Sequence, residues 1–229
     1  MQINSKYFFA TLQISYFVVL RTDNMPVFFQ HRINADTRLG IWKIEETEAF
    51  FKGNVPQHRD VTHPHKRLQH LAGRFLLQFL APDFPYELVQ IADTRKPFLP
   101  DDRYHFSISH CGDYAAAIVS RSARVGIDIE VPVPRLAGIR HKFLSPEEQD
   151  RFGLMPADDD DLCKLTGLWS AKEAVYKWYG KGGLDFRTDM PLYPGSDISL
   201  VSCRFTPTGE ELSVQVHSLA PLMLAWVMS

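Results

Sequence analysis

The sequence of 229 residues lacks several features that would each assign a chain to a protein class. It has no run of about 20 apolar residues, the length needed to cross a bilayer, so we expect no membrane-spanning helix. Its three cysteines, Cys111, Cys163 and Cys203, are widely spaced and form no Cys-x-x-Cys pair, which argues against a disulfide framework or a zinc site. The formal net charge of −2 argues against general binding to nucleic acid or membrane surfaces. These absences favour a protein of the reducing cytoplasm.

The composition that remains is that of a globular protein. Apolar residues make up 45% of the chain and charged residues 23%, and the 16 Phe and 4 Trp supply bulky core material. The apolar segment Tyr7–Leu20 is interrupted by polar residues and lacks a basic segment and a small-residue cleavage site, so we interpret it as a buried strand rather than a signal peptide.

Hydrophobic periodicity predicts two long helices and many strands. Apolar residues at helical spacing predict a helix over His65–Leu80, and a second over Thr166–Tyr179, ended by Gly180. Ser145 before Pro146 predicts the start of a shorter helix over Leu144–Phe152. A short helix is also predicted at Glu45–Phe51. The predicted strands are Tyr16–Leu20, Val27–Gln30, Glu87–Ala92, Tyr104–Ser109, Tyr114–Ser120, Arg124–Glu130, Ile198–Arg204, Glu211–His217 and Met223–Met228.

This order of elements predicts an α+β fold of two similar subdomains, each a long helix packed on an antiparallel sheet. We place the subdomains at residues 1–105 and 106–229. His70–Leu80 can be laid on Leu168–Trp178 with matching apolar positions, although two unrelated amphipathic helices can also match in this way. In that alignment Phe75 lies opposite Glu173, so only the second half carries the carboxylate.

An acidic pair lies on one strand, within the segment Gly126–Glu130 (Gly-Ile-Asp-Ile-Glu). Side chains alternate along a strand, so Asp128 and Glu130 share one face. Two adjacent carboxylates repel, and a hard divalent cation relieves that repulsion. The alternative is a solvated strand face that bears two acids.

Polar side chains at three further places in the sequence are of types that can take part in phosphate chemistry. Glu173 and Lys177 are four residues apart on one helix face, where they form either a surface ion pair or a metal ligand, or base, beside a phosphate-binding lysine. Ser109 and His110 end a strand next to a turn, where they either cap the turn or bind phosphate. Lys96 precedes Pro97, and taken locally it is an ordinary surface lysine.

The combination of these motifs resembles the 4′-phosphopantetheinyl transferases. The motifs are, in order, Lys-Pro at Lys96, Phe-Ser-Ile-Ser-His ending at His110, Gly-Ile-Asp-Ile-Glu, and Trp-Ser-Ala-Lys-Glu-Ala-Val-Tyr-Lys ending at Lys177. The sequence is more narrowly similar to the surfactin-synthetase-activating type, in which a single chain forms a pseudodimer of two halves. The resemblance covers roughly Arg59 to Lys181.

The resemblance implies an enzyme that uses magnesium and coenzyme A to move phosphopantetheine onto a serine of an apo acyl or peptidyl carrier protein. It implies a metal site of Asp128, Glu130 and Glu173, with Asp128, Glu173 and Lys177 as catalytic residues and Glu173 as the base. The implied coenzyme A contacts are Lys66, Arg67, Lys96, Ser109, His110 and Lys177. Either Glu147 or Glu148 would assist the metal site, and a pseudodimer with one internal site implies a monomer.

Two other functions are compatible with the same residues. A non-catalytic relative would bind coenzyme A or a carrier domain, although the intact acidic residues and Lys177 argue against it. An unrelated metal-dependent phosphohydrolase would use water as the nucleophile and need no carrier.

Overall fold

The computed structural model describes residues 27–55, 61–154, 160–197 and 199–229, and most of them lie in two antiparallel sheets with one long helix on each. The first sheet has the strand order β1-β2-β6-β5. Its strands are β1 (Val27–Arg32), β2 (Thr37–Lys43), β5 (His105–Cys111) and β6 (Tyr114–Ser120), and the connection from β2 to β5 contains α1 (Glu48–Asn54), α2 (Pro64–Leu80) and the paired short strands β3 (Gln90–Ile91) and β4 (Pro97–Phe98).

The second sheet has the order β7-β11-β10-β9-β8. Its strands are β7 (Val125–Glu130), β8 (Leu192–Pro194), β9 (Leu200–Phe205), β10 (Glu210–Leu219) and β11 (Leu222–Met228). Between β7 and β8 the chain forms α3 (Arg135–Ile139), α4 (Pro146–Arg151) and the long helix α5 (Asp160–Tyr179), which packs on this sheet.

Helix α2 forms where the sequence provides a start signal and an apolar face. The His63 side chain accepts a hydrogen bond from the amide of Lys66, and Pro64 occupies the first turn, where its missing N–H costs nothing. The buried residues Leu76, Leu77 and Leu80 then recur at helical spacing, and Leu76 and Leu80 pack against Gly40 of the first sheet.

Helix α5 lies unusually close to its sheet because β7 contains a glycine at the crossing point. A Cβ atom built on Gly126 would lie 2.0 Å from the carbonyl oxygen of Ala174, a separation that real atoms do not reach. Ala171 and Ala174, both fully buried, present small side chains on the helix. The close approach brings the C-terminal half of α5 against the polar face of β7.

The two sheets also pack against each other through the faces turned away from their helices. Leu39 and Ile118 of the first sheet belong to the same buried cluster as Ile127 and Ile129 of the second. Ile127 and Ile129 therefore lie on the opposite face of β7 from Asp128 and Glu130, as the strand alternation predicts.

The α+β architecture with antiparallel sheets is confirmed, and both long helices are present, although α5 begins at Asp160, six residues before the predicted Thr166. The short N-terminal helix is also present, three residues later than predicted, at Glu48–Asn54. Helix α4 is confirmed with its predicted N-cap.

Two sequence-based assignments differ from the structure. Only Gln90–Ile91 of the predicted strand Glu87–Ala92 is extended, because Tyr86–Leu88 after Pro85 forms a 3-10 turn. The division after residue 105 falls one hairpin early with respect to the sheets, because β5 and β6 pair with β2 and complete the first sheet. The predicted strand Tyr16–Leu20 lies outside the described residues. Within the described residues no helix is long and apolar enough to cross a membrane.

Candidate active site at the junction of β7 and α5

Asp128 and Lys177 meet where α5 crosses β7. The Lys177 Nζ atom lies 2.7 Å from Asp128 Oδ1 and 2.8 Å from Ser109 Oγ. Asp128 is 3% exposed, and its second oxygen, Oδ2, is buried without a hydrogen-bond partner among the described residues. A buried carboxylate oxygen in this condition is costly unless something else satisfies it.

Glu173 and Glu130 complete a group of three acids around this junction. Burial first, and then the charges of Asp128 and Glu130, raise the pKa of Glu173 to about 7, although nearby Lys177 opposes the shift. Burial and the charge of Asp128 also raise the pKa of Glu130, while hydrogen bonds from Cys111 and Trp169 oppose it. Such raised pKa values occur where like charges share a confined space. The three predicted acids therefore lie in one electrostatic cluster.

The carboxylates of Asp128, Glu130 and Glu173 offer the oxygen atoms that a divalent cation binds, but they are not close enough together to form a metal site in this structure. Within residues 27–55, 61–154, 160–197 and 199–229, no three His, Cys, Asp or Glu side chains are gathered closely enough to hold a metal ion. Lys177 lies at one side of Asp128 and supplies the positive charge there. The unpartnered Oδ2 of Asp128 and the carboxylates of Glu130 and Glu173, whose pKa values neighbouring acids raise, nonetheless fit a hard cation, which prefers oxygen ligands.

Ser109 lies beneath the junction and not at its surface. It is 5% exposed, and its hydroxyl donates to Asp128 Oδ1 at 2.8 Å while it accepts from Lys177 and from the amide of Ile129. A hydroxyl has one proton to donate and two lone pairs, so its hydrogen-bonding capacity is filled. The sequence prediction that Ser109 contacts a phosphate is therefore replaced by an internal contact.

His110 follows Ser109 on β5, points to the other face of that strand and is exposed. The pKa of His110 is lowered, first by desolvation and second by the positive charge of Lys177, with a smaller effect of Lys66. Lys66, in the first turn of α2, is exposed and close enough to His110 for that effect. His110 and Lys66 thus lie on the same side of β5 as α2.

Arg67 does not join this group. Its guanidinium forms two hydrogen bonds with Glu48 of α1, at 2.8 and 2.9 Å, and two more with the carbonyl groups of Val61 and Thr62. The bidentate contact holds α1 against α2 and uses most of the donors of the guanidinium. Of the basic pair predicted from sequence, only Lys66 is exposed.

Lys96 lies at the C-terminal end of α5. Its Nζ atom donates to the carbonyl oxygens of Lys177 at 2.5 Å and Trp178 at 3.4 Å, which places a cation at the negative end of the helix dipole. Burial and the charge of Arg124 lower the pKa of Lys96 to about 8.

A pocket of about 230 Å³ lies beside Lys96 and Lys177, between the segment at Thr94 and the end of α5 at Gly180. Gly180 has φ 73°, a left-handed conformation, and a Cβ atom there would lie 2.6 Å from the Lys96 side chain. The glycine therefore keeps room for Lys96 at this end of the helix.

Glu148 is a structural residue, in contrast to the sequence prediction that it assists the metal site. It is 1% exposed, and Lys172 Nζ, 0% exposed on α5, lies 2.6 Å from Oε1. The same carboxylate accepts from the amides of Leu192 and Ser145 at 2.8 Å each. These bonds tie α4, α5 and β8 together. The other candidate, Glu147, is exposed, and Ser145 and its own amide lower its pKa.

Sequence reasoning did not assign a role to Lys172. Its position directly before Glu173 in the helix motif was visible, but its burial was not, because the buried partner Glu148 lies on a different helix. A lysine within an otherwise apolar helix face is the one signal that could have indicated a buried pair.

The comparison with known proteins agrees with the site. Residues 124–218 match the family model of the 4′-phosphopantetheinyl transferase superfamily, a segment that contains Asp128, Glu130, Glu173 and Lys177. Over this segment the chain is similar to members of this superfamily. The narrower pseudodimeric type was predicted from sequence, and the family match does not distinguish it.

Individual relatives align with different lengths of this chain. Enterobactin synthase component D of Escherichia coli strain K12 is 35% identical over 118 residues, which are 49% of this chain and 54% of the relative. The 4′-phosphopantetheinyl transferase psf-1 of Bacillus pumilus is 39% identical over 79 residues, 34% of this chain and 33% of the relative. The 4′-phosphopantetheinyl transferase AcpT of Escherichia coli O157:H7 is 29% identical over 164 residues, 69% of this chain and 79% of the relative. The chain thus spans about half the length of several of the curated relatives it matches.

Proposed function

We propose that this protein is a 4′-phosphopantetheinyl transferase that moves phosphopantetheine from coenzyme A to a serine of an apo acyl or peptidyl carrier protein. The observation that carries the proposal is the convergence of Asp128, Glu130, Glu173 and Lys177 at one junction inside the segment matched to the superfamily. The names of the relatives, two of which are transferases of this kind, support the reaction type.

Asp128, Glu130 and Glu173 would hold a magnesium ion, which fits their oxygen donors and their mutual repulsion. A bound magnesium ion supplies charge neutralisation for the pyrophosphate of coenzyme A. The unpartnered Oδ2 of Asp128 is the donor atom that most requires such a partner.

Glu173 is the base in this proposal. In the metal-free protein its pKa of about 7 makes this carboxylate more basic than an ordinary one. The serine oxygen of the carrier attacks the phosphorus that bears the pantetheine. As that bond forms, the bond from phosphorus to the bridging oxygen breaks, 3′,5′-ADP leaves with the electron pair, and Glu173 receives the serine proton.

Lys177 would neutralise negative charge on the pyrophosphate as the nucleotide leaves. The Lys177 side chain is 26% exposed, so it is partly accessible from solvent while its ammonium group contacts Asp128. A phosphate oxygen near this group would gain a charge-assisted hydrogen bond. Lys66, His110 and Lys96 are proposed to contact the phosphates of the nucleotide, with His110 and Lys66 on the side of α2 and Lys96 beside the pocket at Gly180.

We propose that the protein acts as a monomer in the cytoplasm. All the elements that form the site, β5, β7 and α5, belong to one chain, which supports a monomer. Cys111, Cys163 and Cys203 form no disulfide bond with one another, which is compatible with a reducing compartment.

Intact-mass spectrometry tests the proposed function. The protein is incubated with coenzyme A, magnesium and an apo carrier protein, and the carrier is expected to gain the mass of one phosphopantetheine. A matched carrier with its acceptor serine replaced by alanine should gain nothing. Binding of coenzyme A without a mass change on the carrier would indicate a non-catalytic relative, and breakdown of coenzyme A without a carrier would indicate a phosphohydrolase.

A further inference from the structure

Three alternate residues of β5 contact three alternate amides, two of β7 and one of Val131, the residue that follows it. The amide of Ile127 donates to Ser107 Oγ at 3.2 Å, that of Ile129 to Ser109 Oγ at 3.3 Å, and that of Val131 to Cys111 Sγ at 3.3 Å. The spacing of two residues on both strands makes the contact a regular ladder. We call Ser107, Ser109 and Cys111 the β5 ladder.

The ladder joins the two sheets at their edges. β5 is the last strand of the first sheet and β7 the first strand of the second, so each has one side without a neighbour in its own sheet. Side-chain oxygen and sulfur atoms of β5 take the place of the carbonyl groups that a neighbouring strand would offer. The amides of β7 are therefore satisfied although Ile127 and Ile129 are fully buried.

The same ladder also contacts the acids of the site. The Ser109 hydroxyl donates to Asp128 Oδ1 at 2.8 Å, and the Cys111 thiol donates to Glu130 Oε2 at 3.3 Å. Each of these side chains thus accepts from one of the three amides and donates to the carboxylate of the residue before it. For Ser107 the residue before the contacted amide is Gly126, which has no carboxylate to accept a hydrogen bond.

We infer that Ser109 and Cys111 are positioning residues that set the orientation of Asp128 and Glu130 from the neighbouring strand. For Asp128 the bond occupies Oδ1 and leaves Oδ2 without a hydrogen-bond partner among the described residues. For Glu130 the bond holds one end of a flexible side chain. The consequence for catalysis rests on the proposed function, whereas the orientation of the two carboxylates does not.

Ser107 provides a matched control within the ladder. Replacing Ser107, Ser109 or Cys111 by alanine removes one acceptor for one of the three amides, so we expect each change to lower Tm by about 3 °C. Only Ser109→Ala and Cys111→Ala also remove a donor to a carboxylate.

Crystal structures of the full-length variants decide the inference. We expect Asp128 to reorient in Ser109→Ala and Glu130 to reorient in Cys111→Ala, with both carboxylates unmoved in Ser107→Ala and in Cys111→Ser, whose hydroxyl can donate and accept as the thiol does. Unmoved carboxylates in both alanine variants of Ser109 and Cys111 would overturn the inference. If Ser109→Ala does not fold, Ser109→Cys replaces it, and the two Cys111 variants still test the inference. The inference requires Glu130 to lose its orientation in Cys111→Ala and to regain it in Cys111→Ser.

Transfer kinetics provide a second readout that separates positioning from stability. With coenzyme A and an apo carrier, kcat of Cys111→Ala should fall by roughly tenfold or more at unchanged KM for coenzyme A, and Cys111→Ser should restore it. Equal kcat in all three proteins would contradict a positioning role. If the wild-type protein transfers nothing, the proposed function fails, and the carboxylate positions in the crystal structures still decide the inference.

Discussion

Lys177 and Asp128 form an ion pair across the junction of a helix and a strand, with Nζ 2.7 Å from Oδ1. Their positions are 49 residues apart in the chain, and Gly126, two residues before Asp128, allows the close approach of α5 that joins them. The pair leaves Asp128 Oδ2 buried and unpartnered among the described residues. This asymmetry suits a carboxylate that contacts a lysine through one oxygen and a cation through the other.

Replacing Asp128 tests the proposed metal site. We expect Asp128→Ala and Asp128→Asn to lose about 100-fold or more of the magnesium-dependent transfer rate, because each removes a charged ligand. The fold should persist, since the removal of one acid also relieves repulsion with Glu130 and Glu173. Steady-state transfer assays and thermal unfolding measure the two quantities. Asp150→Asn, at an exposed acid of α4, is the control, and turnover of Asp128→Asn equal to that of the control would exclude the metal-site assignment.

Glu173→Gln tests the assignment of the base. The amide keeps the shape of the side chain but accepts no proton, so kcat should fall by about 10²–10⁴-fold with little change in KM for coenzyme A. Isothermal titration with coenzyme A measures the affinity separately from the rate. Equal losses of rate and affinity would indicate that Glu173 only holds the ligand.

Although Glu173→Gln should lower kcat, we expect it to stabilise the metal-free protein at high pH. A carboxyl whose pKa rises from 4.5 in the unfolded chain to about 7 in the fold stabilises the protein at low pH, and that contribution is lost as the pH rises through this window. Glu173→Gln remains neutral, so in EDTA at pH 8 it should be more stable than wild type, by on the order of 3 kcal/mol. The advantage should shrink towards pH 5. Urea unfolding at the two pH values measures it, and a variant less stable than wild type at pH 8 would show that Glu173 is not held in a repulsive environment.

Gly126→Ala tests the close approach of α5 to β7. The new Cβ would lie 2.0 Å from the Ala174 carbonyl, so the helix must shift and carry Glu173 and Lys177 away from Asp128. We expect a loss of at least 1–3 kcal/mol, by the usual cost of overpacking, and a fall of kcat by about tenfold or more. Gly53→Ala is the control, because a Cβ at Gly53 in α1 meets none of the described residues within 4 Å and should raise helix stability slightly. A Gly126→Ala protein with wild-type Tm and kcat would contradict the packing argument.

The buried pair of Lys172 and Glu148 is expected to behave as a unit. Lys172→Met leaves the Glu148 carboxylate buried without its cation and should cost about 3–5 kcal/mol. Adding Glu148→Gln removes the unpaired charge while an amide oxygen remains for the Leu192 amide, so the double variant should recover part of the loss. Urea unfolding of the four proteins in this cycle measures the coupling. Additive losses would show that the two side chains do not depend on each other.

Much of the fold and the three acids could be predicted from sequence because the relevant signals are local. The helical spacing of Leu68, Leu71 and Phe75 lies within one segment, and strand alternation alone places Asp128 and Glu130 on one face. The spacing of Glu173 and Lys177 left a surface ion pair open, the family resemblance favoured a role in the site, and the structure brings both to that face.

The remaining features depend on partners far apart in the chain. Glu148 looked like a site acid because its partner Lys172 lies on another helix, and Ser109 looked like a phosphate contact because its bonds to Asp128 and Ile129 cross between sheets. The division after residue 105 separated β5 and β6 from β2 for the same reason, since strand pairing between distant segments leaves no periodic signal.

The most direct test of the account is a single-turnover reaction with stoichiometric enzyme, coenzyme A and apo carrier, followed by intact mass and by release of 3′,5′-ADP. With magnesium, wild-type protein should add one phosphopantetheine per carrier and release an equal amount of 3′,5′-ADP, whereas reactions in EDTA, or with Asp128→Asn, should add almost none. A carrier modified equally well by wild type and Asp128→Asn, or no modification in any reaction, would contradict magnesium-dependent phosphopantetheine transfer at Asp128.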